Sequence, residues 1–314
     1  MIFNMTKPKI CILFCGGTIV MHKDKDSGSL DITGGTEEIL NLEPKLKDIY
    51  DIELIFIDNI DSTNITPTHW DKMINEIEKN YDKFDGFVIT HGTNTLGYTS
   101  SALSFALQGI GKPVVITGAQ IPADQLESDA RRNFVNAVKL ASMDISGVYV
   151  VFGSKIIQGV RAKKETESDL DAFKTFNAHD IGEIKLDLTF NKEIPKKHDI
   201  KWEAKPGFDP ILSVITLEPG IRSKELELLI ESGIDGIVIR AFGSGDIPYF
   251  LIPALEKARD KKVPILVTTQ CPKGATKMGL NDVGLKAREA GVIQVFDMSM
   301  ESMTTKLKWL LHHK

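Results

Sequence analysis

Short apolar, β-branched runs alternate along this chain with segments whose apolar residues recur at helical spacing. Repeated, that pattern builds a mostly parallel sheet flanked by helices, because parallel neighbours need a crossover long enough to hold a helix. Strands are expected near residues 10–15, 53–57, 86–90, 114–117 and 148–152. Helices are expected over 68–81, 96–107 and 128–143. In the first of these Trp70, Met73, Ile74 and Ile77 form one apolar stripe behind a Thr66 or Thr68 cap.

From 191 to 210 the sequence turns polar, with Pro195, Pro206 and Pro210 and no sustained period. A second alternation follows, with strands near 212–217, 236–240, 265–269 and 292–296 and helices near 224–232, 250–261, 281–290 and 301–312. A length of 314 residues suits two domains. The expected fold is therefore α/β in two parts. Residues 1–190 form a larger N-terminal domain with a mostly parallel, helix-flanked sheet, 191–210 a linker, and 211–314 a smaller C-terminal α/β domain.

Charge and cysteine usage narrow the partners. With 38 Lys and Arg against 43 Asp and Glu, the net charge is -5, and no cationic cluster suits a nucleic acid. A small or neutral ligand is expected instead. The longest apolar runs, such as 11–15 and 148–152, stop far short of a bilayer span, and the N-terminus lacks a signal-type apolar region, so no membrane partner and a cytoplasmic location are expected. Of three cysteines, Cys11 and Cys15 share a strand about 13 Å apart and cannot bridge, which suits a reducing compartment. No second cysteine pair completes a zinc site, and the seven histidines are scattered except for His312 and His313.

In parallel α/β sheets ligands bind beyond the carboxyl ends of the strands. Those positions are unusually polar here: Gly16-Gly17-Thr18, Asp61-Ser62-Thr63-Asn64, His91-Gly92-Thr93-Asn94-Thr95 and Gly118-Ala119-Gln120. Two glycines let the backbone turn sharply and expose the Thr18 hydroxyl at the sheet's edge. Gly16-Gly17-Thr18 has neither the three spaced glycines of a dinucleotide fingerprint nor the Gly-Lys-Ser/Thr end of a phosphate loop, and alone it reads as an ordinary turn. Thr93 adds a second hydroxyl. A hydroxyl is a weak nucleophile until a base takes its proton, and a partly neutral lysine is the natural base. Lys163 and Lys164 fall in a loop of the segment 159–173, where by themselves they read as solvated charge. His91 could cap a strand end as readily as catalyse, and Asn133 and Asn136 read as helix-surface residues.

Taken with their order, these segments resemble the L-asparaginase family over essentially the whole chain, most closely its cytoplasmic type I branch. The motifs are Phe14-Cys15-Gly16-Gly17-Thr18-Ile19, Asp61-Ser62-Thr63-Asn64-Ile65-Thr66-Pro67, Thr90-His91-Gly92-Thr93-Asn94-Thr95-Leu96 with 98–105 behind it, Thr117-Gly118-Ala119-Gln120-Ile121-Pro122, and Thr269-Gln270-Cys271 with Gly274. The resemblance implies hydrolysis of a side-chain amide with release of ammonia, through a threonine-centred covalent mechanism without metal or cofactor. It makes Thr18 the nucleophile, Thr93 the second threonine, and Lys164 the lysine that assists it, aligned by Asp171-Ala172-Phe173. Ser62 and Thr63 fall where the family holds the substrate's α-carboxylate and neighbouring atoms. Gly92 and Asn94 join the binding positions, and backbone N–H groups near the threonines serve as oxyanion donors. A homodimer or homotetramer is implied, with Asp246 reaching a neighbour's site. Cys271 falls in a region that forms an allosteric asparagine site in some type I enzymes, though a lone cysteine reads first as packing.

Two positions depart from the family pattern. Asn94 stands where the family has an aspartate, and Ser29 falls at about the place of a loop tyrosine that helps activate the nucleophile. An uncharged residue at 94 forgoes a charge-assisted bond to an α-ammonium, so the preferred amide need not be asparagine. Losing the tyrosine leaves Ser29, Lys23 or a water in its role. A non-catalytic amino-acid sensor is the alternative. The ammonia-producing component of an archaeal tRNA amidotransferase ranks last, because that protein carries an extra N-terminal domain and this chain begins its first strand within about ten residues.

Overall fold

The computed structural model describes residues 6–20, 22–23, 30–31 and 36–314. Its first unit holds an eight-stranded sheet. The strands are β1 (Lys9–Phe14), β2 (Asp51–Phe56), β3 (Gly86–Thr90), β4 (Pro113–Thr117), β5 (Gly147–Phe152) and β6 (Lys155–Gln158). β7 (Ala162–Lys164) and β8 (Phe173–Thr175) form a separate antiparallel hairpin, and β9 (Gly182–Ile184) and β10 (Leu188–Phe190) complete the large sheet. The order is β10-β9-β6-β5-β4-β3-β1-β2. The five strands β1 to β5 run parallel; β6, β9 and β10 are added antiparallel.

The central strands are buried on both faces, which is why their sequences read as apolar runs rather than as alternation. One face packs on helix α3 (Ala130–Ala141): Ile12, Val88, Val115 and Val151 meet Phe134, Ala137 and Val138 in one buried cluster. Helix α1 (Pro67–Lys79) buries the expected stripe of Trp70, Met73, Ile74 and Ile77 and starts at Thr66, with Pro67 at its first position, where a missing N–H costs nothing. Helix α2 (Leu96–Ala106) is enclosed on most sides and starts directly after the polar segment that follows β3.

The division between the two units falls at Pro206 and Gly207. The polar stretch before it is no free tether. Ser146 N–H donates to the Pro195 carbonyl at 2.8 Å, Lys205 N–H to Ala106 at 2.9 Å, and Ala204 N–H to the Glu78 carboxylate at 2.9 Å. Hydrogen bonds of this kind leave no periodic trace in a sequence.

The second unit is a four-stranded parallel sheet, β11 (Leu212–Thr216), β12 (Gly236–Ala241), β13 (Ile265–Thr269) and β14 (Ile293–Gln294), in that order. Helices α4 (Ser223–Glu231), α5 (Ile252–Asp260), α6 (Asp282–Glu289) and α7 (Met300–His312) cover it. Ile237 and Ile239 face one cluster, with Leu226 and Leu255, while Val238 and Leu266 face another, with Met303 and Leu307. Among the described residues, no helix is long and apolar enough to cross a membrane.

Candidate active site

From β1 the chain crosses to β2 on one side of the sheet, and it later places β3 on the other. At such a reversal the loops leaving the two carboxyl ends diverge and open a crevice. Thr18 follows β1 and Thr93 follows β3. Gly16 and Gly17 have positive φ (72° and 93°) and turn the chain out of β1. A Cβ on Gly17 would stand 2.5 Å from the Gly92 backbone nitrogen, and one on Gly92 would stand 2.6 Å from the Ser62 hydroxyl oxygen. Glycine at 17 and 92 thus lets three strand-end loops touch. Thr18, partly buried, and Thr93, buried, each come next after one of these glycines.

Side chains then link the loops. The Asp61 carboxylate accepts the Thr63 N–H at 2.7 Å and caps the short turn Ser62–Asn64. The Thr95 hydroxyl donates to the Ser62 carbonyl at 2.7 Å, and the Asn94 amide donates to the Thr63 hydroxyl at 3.1 Å. Lys164 approaches from β7, which is a strand and not the loop expected; Phe173 of β8 is its cross-strand partner. Three-residue strands are too short to show an alternation. Lys164 Nζ donates to Thr93 Oγ1 at 2.8 Å and to Asn94 Oδ1 at 3.0 Å. Burial pushes the Lys164 ammonium below its usual range, opposed by the Glu167 and Asp61 carboxylates.

The other sequence candidates are placed as follows. His91 is wholly buried: Nδ1–H donates to its neighbour's carbonyl, Gly92, at 2.7 Å, and Nε2 accepts from the Thr99 hydroxyl at 2.8 Å. Thr99 in turn accepts from Trp70 Nε1 at 3.0 Å. Burial lowers the His91 pKa to about 4, so the ring is a neutral, fully used strut. Asn133 is not on a helix surface. It is buried, donates to the Gly118 carbonyl at 3.0 Å and accepts the Gly153 N–H at 3.1 Å, pinning the loops after β4 and β5. Asn136 is half-buried. Ser29 lies outside the described residues, as does the side chain of Lys23. Asp246 belongs to the second unit, in the loop after β12; its Oδ2 accepts from Asn281 at 2.8 Å, and its buried Oδ1 has no hydrogen-bond partner among the described residues. Cys271 is exposed there, against the expectation of packing.

Sequence reasoning passes over Asp61 as a participant, although an Asp two residues before a turn's N–H is a readable capping signal. Among the described residues no group of three or more His, Cys, Asp or Glu gathers as metal ligands.

Comparison with known proteins adds the family. The family model described as Asparaginase, N-terminal matches residues 9–196, and that of the Glutaminase/Asparaginase C-terminal domain matches 212–314. An L-asparaginase from Thermococcus kodakarensis is 37% identical over 310 residues, covering 97% of this chain and 93% of that protein. The solved structure of the thermostable L-asparaginase from the same organism superposes with a TM-score of 0.90 at 36% identity, covering 98% of this chain and 93% of the other. L-asparaginase 1 of Escherichia coli is 32% identical over 317 residues, covering 98% and 93%. A component of the glutamyl-tRNA(Gln) amidotransferase of Pyrococcus abyssi is also 32% identical, covering 98% of this chain but 72% of that protein. With both domain models matched in order, and every threonine and the lysine of the crevice inside the first, the chain belongs to the asparaginase family.

Proposed function

We propose that this protein hydrolyses L-asparagine or a related side-chain amide to the acid and ammonia, with Thr18 as nucleophile. The observation that carries the reading is the hydrogen bond from Lys164 on β7 to Thr93, which follows the Gly92 that abuts Gly17, directly before Thr18. Thr18 Oγ1 attacks the amide carbon, and its proton passes to the Thr93–Lys164 pair, where a lysine depressed by burial is more often neutral and able to accept it. Negative charge then forms on the amide oxygen, and the Gly92 region supplies backbone N–H donors to it. Collapse breaks the C–N bond, the proton returns to the leaving nitrogen, ammonia departs, and water hydrolyses the Thr18 ester.

Ser62 and Thr63 supply hydroxyls for a substrate carboxylate. Asn94 supplies no charge for an α-ammonium, which costs about 1.5–3 kcal/mol of recognition, roughly ten- to hundredfold in affinity. Amides without an α-amine therefore lose less at this site than asparagine does. Free Cys11 and Cys15, both buried, favour a reducing, cytoplasmic setting. The resemblance extends this reading to a homodimer or homotetramer in which Asp246 completes a neighbour's site; its side chain would have to turn to do so, since Oδ2 accepts from Asn281 and Oδ1 is buried.

Ammonia release from L-asparagine, L-glutamine and α-deamino amides tests the reading. Turnover of at least one is expected. Folded protein that turns over none, yet is thermally stabilised by asparagine or aspartate, would favour an amino-acid sensor.

A further inference from the structure

Lys164 is carried by the β7–β8 hairpin, which is not part of the eight-stranded sheet. Its place over Thr93 therefore depends on whatever fastens that hairpin. Lys155, the first residue of β6, does so: its Nζ donates to the Phe173 carbonyl at 3.1 Å and pairs with the Asp171 carboxylate at 2.6 Å. Phe173 is the residue directly opposite Lys164 in the hairpin ladder. Asp171 Oδ1 occupies the space a Cβ on Gly153 would need, and Gly153 sits at φ 58°. The Phe173 ring lies 4.8 Å from that of Phe152 at the end of β5. The clasp thus joins the tip of the β5–β6 hairpin to both the backbone partner of Lys164 and the loop leading to it.

We infer that Lys155 is a positioning residue, holding the Lys164 amine against Thr93 by way of Phe173 and Asp171. The kinetic consequence rests on the proposed amidohydrolase reading; the geometric one does not. Lys155 is 17% exposed at its side chain and Asp171 42%, and the buried Asp171 Oδ1 has no hydrogen-bond partner among the described residues, so losing the lysine costs stability as well as register, and melting temperature separates the two. The groups facing Lys164 are Thr93 and Asn94, which are neutral, and the Asp61 and Glu167 carboxylates. A hairpin released from Lys155 lets water reach the amine.

The test compares wild type with Lys155→Met, Lys155→Arg and Asp171→Asn in two measurements. One is kcat and KM for ammonia release; the other is acetylation of Lys164 by limiting acetic anhydride across the alkaline range, read by peptide mass. Lys155→Met is expected to lower kcat about ten- to a hundredfold, with KM moving less than about threefold, since misplacing a catalytic group spares ground-state binding. Its Lys164 acetylation midpoint moves to higher pH as the amine is solvated. Lys155→Arg keeps the cation and enough N–H donors for both the Phe173 carbonyl and the Asp171 carboxylate, and is expected to stay closer to wild type than Lys155→Met in both measurements. Asp171→Asn keeps the bond to Phe173 and lowers kcat by about threefold, which decides the matter if the Met variant does not fold. A Met variant with unchanged kcat and unchanged midpoint overturns the inference, as does a loss that tracks melting temperature and that Arg leaves unrepaired. If wild type releases no ammonia, the proposed activity fails and the acetylation midpoints still decide the role of Lys155.

Discussion

Asn94 gives its carbonyl to Lys164 and its amide to Thr63, so both poles of the side chain are engaged within the protein itself. Asn94→Asp keeps an acceptor for Lys164, turns the Thr63 hydroxyl into a donor, and adds the charge an α-ammonium needs. The KM for L-asparagine should fall about tenfold. The new carboxylate also favours the protonated amine, moving the rise of kcat with pH to higher pH. An unchanged KM would count against a recognition role for position 94. At this scale a motif tells which residues come together, as with Thr93 and Lys164, which lie 2.8 Å apart, and is blind wherever burial decides. Asn133 reads as a surface amide because much of a helix usually faces water, and only packing reveals that its partners include backbone groups of two other loops beside the Asp129 carboxylate. Lys155 carries no motif at all, since its role comes from a hairpin that folds back on it 18 residues later.

The elements matter here because they tie strand ends together. Trp70 on α1, Thr99 on α2 and His91 after β3 form one buried hydrogen-bonded chain, with the imidazole neutral at its end. A histidine whose pKa is lowered to about 4 on folding binds no proton between there and its ordinary 6.5, whereas the unfolded chain does. The stability it contributes is therefore complete above pH 6.5 and is lost as pH falls toward 4, by at most about 3 kcal/mol. Urea unfolding across that window should show a steeper acid loss for wild type than for His91→Gln; identical slopes would contradict the assignment. The elements with a long hydrophobic period are readable to within about two residues, as α1 shows against its expected 68–81. The additions β6, β9 and β10 are not, because strands of three or four residues offer too few positions for a period. The same shortness hides the helices Thr36–Asn41 and Leu46–Ile49.

At the scale of the whole molecule, the crevice residues all belong to the first unit and Asp246 to the second. If Asp246 serves a neighbouring protomer, Thr18→Ala and Asp246→Ala proteins, each nearly inactive, should complement when unfolded together and refolded. Random pairing leaves one intact site in half of the dimers, so about a quarter of wild-type activity should return. No recovery would place Asp246 in its own protomer's site or outside any site. The two-part α/β plan can be read in the sequence because the same alternation occurs on both sides of a proline-containing polar stretch. The break at Pro206 cannot, since hydrogen bonds from Pro195 to Lys205 bind the preceding segment to the first unit. The central claim is that Thr18 attacks the amide, and it is tested most directly by kcat/KM for ammonia release in wild type and Thr18→Ala, with folding checked in both. A loss of at least about a thousandfold is predicted, as expected when a covalent nucleophile is removed. A variant that retains wild-type turnover would contradict it.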